Sequence, residues 1–204
     1  MLDPRVRNKK FNSKSMKDFM KGYSDSLSIA LDSLDPSMLS AAADKIDEVS
    51  KKGGQIFSIG NGGSAAISNH LCCDWSKGMY QENHPPIRTT SLNSNMALYT
   101  AIANDFGFER VFSEQLKYFG SNSDILVAIS SSGNSENIIQ GVKKAKSKSM
   151  FVIGLSGFDG GQLRSISDVS IHVDASNYGV VEDSHQIIMH MIGLYVFSRR
   201  EDSE

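Results

Sequence analysis

The sequence has few of the features that mark membrane, secreted or nucleic-acid-binding proteins. Its formal net charge is −2, so no general basic field attracts nucleic acid. No apolar run approaches the roughly 20 residues of a membrane span, and the polar start MLDPRVRNKKFNSKS resembles no signal peptide. The two cysteines, Cys72 and Cys73, are adjacent and poorly placed for a disulfide. These absences predict a cytoplasmic protein with no membrane or nucleic-acid partner.

The motifs of common nucleotide-binding loops are also missing. There is no G-x-x-x-x-G-K-[ST] segment. The segment GNGGSA at residues 60–65 approaches the dinucleotide pattern G-x-G-x-x-G, in which Ala is tolerated at the sixth position. However, the next predicted strand ends in TTSLNSN, without the acidic residue that binds a ribose hydroxyl. A dinucleotide cofactor is therefore disfavoured.

The pattern of apolar residues predicts an α/β fold. Two helices come first, at about 15–34 and 36–52, with Asp35 as the cap of the second and Pro36 at its first position. Strands predicted at 55–60, 87–92, 124–130, 150–157 and 169–174 alternate with helices, the last at about 181–199. Continuous apolar strands in such alternation predict a parallel sheet covered on both faces. We expect a flexible segment 1–14 and a single domain at 15–200 that includes the first two helices.

Two predicted strand ends are rich in small polar residues. The first strand is followed by Asn61, Gly62, Gly63 and Ser64, and the third by the segment SSSGNSEN at 130–137. Serine hydroxyls, unobstructed backbone N–H groups and a helix N-terminus together suit a phosphate group. Either loop alone could be an ordinary turn in which Ser64 or Ser135 caps a helix. Two such loops in one sheet favour an anion site.

Acid–base residues recur at four-residue steps on two predicted helices. His70 and Asp74 share one helix face, and Glu182, Gln186 and His190 share another. Two histidines and two carboxylates could close a tetrahedral zinc site or act as general acid and base. The alternative is a set of separate surface or core polar residues. We expect His84 and His172 to be structural, and His185 to be structural or a support for the site.

The segments SIGNGGSAA, NDFGFERVFSEQL, ISSSGNSENII and the C-terminal ED.HQIIMH resemble the sugar isomerase (SIS) domain family, over nearly the whole chain. Within it they are most similar to the heptose-phosphate isomerases. The resemblance implies a three-layer α-β-α sandwich with a five-stranded parallel sheet, assembled as a homotetramer with active sites at subunit interfaces. It implies conversion of sedoheptulose 7-phosphate to D-glycero-D-manno-heptose 7-phosphate, through an enediol, for lipopolysaccharide or capsule heptose.

The resemblance also assigns site residues. It implies zinc held by His70, Asp74, Glu182 and His190, with Asp74 and His190 catalytic and Glu182 also close to substrate. It implies contacts to the phosphate and the sugar from Ser64, Ser130, Ser131, Ser132, Ser135, Asn61 and Asn95.

Two positions depart from the family pattern. Asp74 stands where Glu is usual, and Glu182 where Gln is usual. Because Asp is one methylene shorter, its carboxylate would sit roughly 1.5 Å back, and the added charge of Glu182 could compensate. Two alternatives remain: a non-catalytic SIS adaptor that binds a replication initiator, and an isomerase of another phosphosugar.

Overall fold

The computed structural model describes residue 11 and residues 14–202. The expected flexible segment 1–14 therefore lies largely outside the described residues. The first two helices are α1 (Met16–Asp32) and α2 (Pro36–Lys51). The Asp35 side chain accepts a hydrogen bond from the Ser37 backbone N–H, and Pro36 occupies the first turn of α2. This helix start agrees with the prediction.

The sheet has five parallel strands in the order β2-β1-β3-β4-β5. The strands are β1 (Gln55–Gly60), β2 (Arg88–Ser91), β3 (Ile125–Ser130), β4 (Phe151–Ser156) and β5 (Val169–His172). Each lies within two residues of its predicted bounds. Because all strands are parallel, the loops that follow them meet at one edge, where ligands bind in open α/β sheets.

The remaining helices are α3 (Gly63–Cys73), α4 (Met96–Phe106), α5 (Val111–Phe119), α6 (Glu136–Ser147), α7 (Gly161–Ile166) and α8 (Tyr178–Glu201). Directly after α3, Asp74–Gly78 form a π-helical turn. Within this turn the buried Trp75 donates its indole N–H to the Met189 carbonyl of α8, at 3.0 Å. That bond holds the turn against α8. A difference from the prediction is that α8 begins at Tyr178, because the Asn177 side chain caps it.

Two apolar clusters lie on opposite faces of the sheet, which gives the predicted three layers. On one face Ile46 of α2 and Ile188 of α8 pack with strand residues such as Val127. On the other face Phe112 and Ile139 pack with residues that include Leu126. The alternation of Leu126 and Val127 between clusters follows from the two-residue period of a strand. Among the described residues, no helix is both long enough and apolar enough to cross a membrane.

Candidate active site

The two loops rich in serine, glycine and asparagine lie side by side at the carboxyl edge. Strand β1 pairs with β3, and Gly60 lies opposite Ile129. A reciprocal amide pair then joins the loops. The Asn61 Nδ2 donates to Asn137 Oδ1 at 2.8 Å, and Asn137 Nδ2 donates to Asn61 Oδ1 at 2.8 Å. Asn61, which was predicted near the sugar, thus also fixes the spacing of the two loops. Asn137 is a residue that the sequence analysis did not single out.

The helices that begin in these loops lack the side-chain caps found elsewhere in the fold. The side chains of residues 15, 35, 95 and 177 cap α1, α2, α4 and α8. Gly62, with φ +56°, precedes α3 and offers no cap, while the Ser135 side chain makes no capping bond to α6. Ser64 lies inside the first turn of α3. Ser64 and Ser135 therefore do not act as ordinary helix caps. In α6 the Ile138 N–H donates to Asn137 Oδ1 at 3.0 Å, and the N–H groups before it, like those that begin α3, can bind an anion.

Three serines near these helix starts are buried: Ser64, Ser130 and Ser131. The Ser131 hydroxyl is fully buried and has no hydrogen-bond partner among the described residues. A buried, unpaired hydroxyl is destabilising, so its presence needs an explanation such as a ligand. The Ser132 hydroxyl accepts a hydrogen bond from the Asn134 N–H at 3.3 Å. Of the serines predicted to bind phosphate, Ser131 most clearly lacks a structural role.

Two histidines converge on the carboxylate of Asp74. The His70 Nε2 lies 3.3 Å from Asp74 Oδ1, and the His190 Nε2 lies 3.0 Å from Asp74 Oδ2. The imidazole rings are nearly perpendicular, with centroids 5.3 Å apart. Because the π-helical turn begins at Asp74, the predicted four-residue step from His70 is preserved.

This group of three could hold a metal ion, since one ligand atom from each residue lies within 4.8 Å of the others. Zinc ligands at about 2.0–2.1 Å from a tetrahedral ion lie roughly 3.3 Å apart, which is close to the spacings observed here. Two imidazoles and a carboxylate are also a donor set that zinc accepts.

Glu182, the fourth metal ligand implied by the resemblance, does not belong to that three-residue group. Its carboxylate packs against Gly63 so closely that a Cβ on Gly63 would lie 2.4 Å from Glu182 Oε2. Burial raises the pKa of Glu182, and the neighbouring Asp183 carboxylate adds to the shift. Glu182 therefore lies beside the glycine loop.

Gln186 occupies the place next to the two histidines. Its Nε2 atom lies 2.9 Å from His70 Nδ1 and 3.3 Å from His190 Nε2. The sequence analysis noted that Gln186 follows Glu182 by four residues and precedes His190 by four, but gave it no role. The four-residue spacing from His190 could have indicated that Gln186 lies beside the histidine, because residues four apart share a helix face.

The other candidates lie apart from this histidine pair. Asn95, predicted near the sugar, is exposed and caps α4 by accepting from the Leu98 N–H at 3.1 Å. His172 lies at the end of β5 with its Nδ1 3.1 Å from the Ser156 hydroxyl. His185 is fully buried, and burial lowers its pKa to about 4, although the Ser156 backbone opposes this shift. It is a neutral core residue of α8.

Comparison with known proteins agrees with this geometry. The family model described as SIS domain matches residues 19–157. A phosphoheptose isomerase from Cytophaga hutchinsonii is 41% identical over 159 residues, covering 78% of this chain and 82% of its own. The chain belongs to the SIS domain family. The solved phosphoheptose isomerase from Neisseria gonorrhoeae has 30% identity and a TM-score of 0.81, covering 89% of this chain and 98% of its own. One from Francisella tularensis has 27% identity and a TM-score of 0.83, covering 90% and 96%.

Membership of the SIS family confirms the predicted α-β-α architecture. The relatives named phosphoheptose isomerase confirm the expectation of an isomerase. In this SIS domain α3 begins in the first of the two loops and carries His70 near its end.

Proposed function

We propose that the protein converts sedoheptulose 7-phosphate to D-glycero-D-manno-heptose 7-phosphate, an aldose–ketose isomerisation through an enediol. The observation that carries this proposal is the pairing of two features of α3 and the turn that follows it. A glycine-rich, uncapped start with Ser64 suits a phosphate, and the Asp74 carboxylate, which two imidazoles flank, follows directly after the helix. The names of the relatives support the heptose substrate.

The phosphate binds between the starts of α3 and α6. Backbone N–H groups at Gly62 and Gly63, together with the serine hydroxyls, donate to its oxygens, and the two helix dipoles favour its charge. The unpaired Ser131 hydroxyl gains a partner there. The Asn61–Asn137 pair keeps the two loops at the separation that the phosphate bridges.

The rise of α3 alone does not select the sugar. His70 and Asp74 follow Ser64 by six and ten residues, or about 9 and 15 Å along the helix at about 1.5 Å per residue. An extended seven-carbon chain with its phosphate ester spans roughly 10 Å, and a pentose phosphate is about 2.5 Å shorter. The heptose assignment therefore follows the names of the relatives.

Asp74 and His190 carry the proton transfers in this scheme. The carboxylate takes the proton from C1 of the open-chain ketose, the electron pair forms the C1–C2 double bond of the enediol, and the proton returns to C2. His190 moves the hydroxyl proton from O1 to O2, so no external oxidant or reductant is needed. Glu182, whose carboxylate accepts no hydrogen bond from a described residue, is the second candidate base.

The residues that would hold zinc are His70, Asp74 and His190, with Glu182 as the fourth ligand implied by the family resemblance. Bound zinc would polarise the carbonyl and stabilise negative charge on the sugar oxygens. Metal analysis of the purified protein tests this assignment, and His70→Ala should remove the metal. A protein that contains no zinc and gains none on dialysis would contradict it.

Exposed apolar side chains support the proposed homotetramer. They lie on α1 and α8 and include Met16, Phe19, Met20, Ile29, Met191, Leu194 and Tyr195. Met191 follows the proposed catalytic His190 directly, so a partner packed there would border the active site. Light scattering should give four times the mass of one chain, and a monomer would contradict this assembly. The single domain at 15–200, the cytoplasmic location and the lipopolysaccharide or capsule pathway stay predictions.

The reaction is tested with sedoheptulose 7-phosphate and purified protein supplied with zinc. We expect aldose product from the wild type and at least 100-fold slower turnover with Asp74→Asn or His190→Ala, because general acid–base groups contribute about 10²–10⁴-fold. The matched control is Asp25→Asn, which changes an exposed carboxylate on α1. If wild-type protein isomerises a different phosphosugar instead, the fold assignment holds and the heptose assignment fails.

A further inference from the structure

Gln186 lies where one amide group reaches both imidazoles of the proposed metal group. Its terminal amide is 2.9 Å from His70 Nδ1, the ring nitrogen on the far side from Asp74. It is also 3.3 Å from His190 Nε2. A side chain in this position can control whether the Nε2 atom of His70, which faces Asp74, carries the ring proton.

The chemistry of the two groups makes their orientations interdependent. An amide nitrogen only donates hydrogen bonds and an amide oxygen only accepts them, while a neutral imidazole carries one N–H and one lone pair. When the Gln186 nitrogen faces His70 Nδ1, as it does here, that nitrogen must accept. The His70 Nε2 then carries the proton and donates a hydrogen bond to Asp74 Oδ1. The His190 Nε2 lies 3.0 Å from Asp74 Oδ2 and 3.3 Å from the Gln186 nitrogen, and the shorter contact is the hydrogen bond, donated to Asp74. When the amide is turned over, its oxygen accepts from Nδ1–H, and Nε2 presents a lone pair.

We propose that Gln186 is a positioning residue whose amide orientation selects the tautomer of His70. With the nitrogen towards Nδ1, His70 is a hydrogen-bond donor to Asp74. With the oxygen towards Nδ1, His70 is a metal ligand through Nε2. This inference rests on the metal assignment within the proposed function and adds a residue that controls it.

The same geometry separates the roles of two neighbouring positions on α8. Glu182 packs on Gly63 at the phosphate end of the site, one helical turn before Gln186. The amide contact to the histidine pair therefore comes from Gln186, while Glu182 lies beside the glycine loop. Removal of a side chain that accepts the second N–H of a metal-ligating histidine typically weakens metal binding by 10–100-fold.

The first test measures Zn²⁺ affinity by calorimetry on the full-length, chelator-stripped protein. Gln186→Met keeps the side-chain length without a strong acceptor and should weaken binding about 10–100-fold. Gln186→Glu keeps an acceptor for Nδ1–H and should bind at least as tightly as wild type. Gln140→Met, on α6, is the matched control and should leave the affinity unchanged. The inference is overturned if Gln186→Met binds Zn²⁺ as tightly as wild type.

The second test reads the tautomer of His70 directly by ¹⁵N NMR of the ring nitrogens. Metal-free wild type should show the proton on Nε2, and zinc-loaded protein should show it on Nδ1. Metal-free Gln186→Met should show a mixture of both tautomers. A single, unchanged tautomer in that variant would overturn the inference. Because this measurement uses metal-free protein, it separates failure of the Gln186 role from failure of the zinc assignment.

Discussion

The reciprocal pair between Asn61 and Asn137 should couple the stability of the fold to phosphate binding. Asn137 is buried, and it makes two bonds of 2.8 Å with Asn61 and one of 3.0 Å with the Ile138 N–H. At about 0.5–1.5 kcal/mol net per bond, Asn137→Ala should lower the free energy of unfolding by about 2–4 kcal/mol. Of these three hydrogen bonds, only the two between the side chains of Asn61 and Asn137 are lost in both single variants. We therefore expect a coupling energy of about 1–3 kcal/mol in a double-mutant cycle.

The assay is urea unfolding of wild type, Asn61→Ala, Asn137→Ala and the double variant at one protein concentration, with and without inorganic phosphate. The coupling should appear as a double variant that is less destabilised than the sum of the two single changes. Both single variants should also lose the stabilisation that phosphate gives the wild type, because the loops are no longer held together. Additivity within about 0.5 kcal/mol, with phosphate protection retained, would refute the reasoning.

Three further predictions concern other parts of the site. Gly63→Ala should displace the Glu182 carboxylate, which lies within 2.4 Å of the added Cβ, and raise KM for the phosphosugar in steady-state assays. Ser131→Ala should raise the free energy of unfolding by about 1 kcal/mol, because it removes an unpaired buried hydroxyl. The same change should reduce the stabilisation that inorganic phosphate gives the protein. A lower free energy of unfolding in this variant would contradict the prediction. Because the folded pKa of His185 is about 4, below its ordinary 6.5, the unfolded chain binds more protons between those values. Stability should therefore fall by up to about 3 kcal/mol from pH 6.5 to 4, and His185→Met should flatten that slope in urea unfolding.

The fold was predictable because its signals are local. Four of the five strands are short runs rich in apolar residues, and the exception is β2, with the sequence RTTS. The cap at Asp35, followed by Pro36, marks a helix start without reference to the rest of the chain. The His70–Asp74 contact was also predictable, because four residues on one helix face fix the spacing of the side chains.

The sequence could not show how α3 and α8 align. That alignment decides which α8 residue meets which α3 residue, and it depends on long-range packing such as the Trp75 bond to α8. For this reason Glu182 meets Gly63, while Gln186 reaches His70. The amide pair between the loops escaped prediction for the same reason, since its members are 76 residues apart.

The central claim is that the serine loops and the histidine–aspartate group act on one phosphosugar. The most direct measurement is NMR of sedoheptulose 7-phosphate incubated with wild-type protein and zinc in D₂O. A heptose 7-phosphate aldose should accumulate with deuterium at C2, because the enediol is reprotonated by a group that exchanges with solvent. Unchanged sedoheptulose 7-phosphate, from protein that is folded and stabilised by phosphate, would contradict the claim.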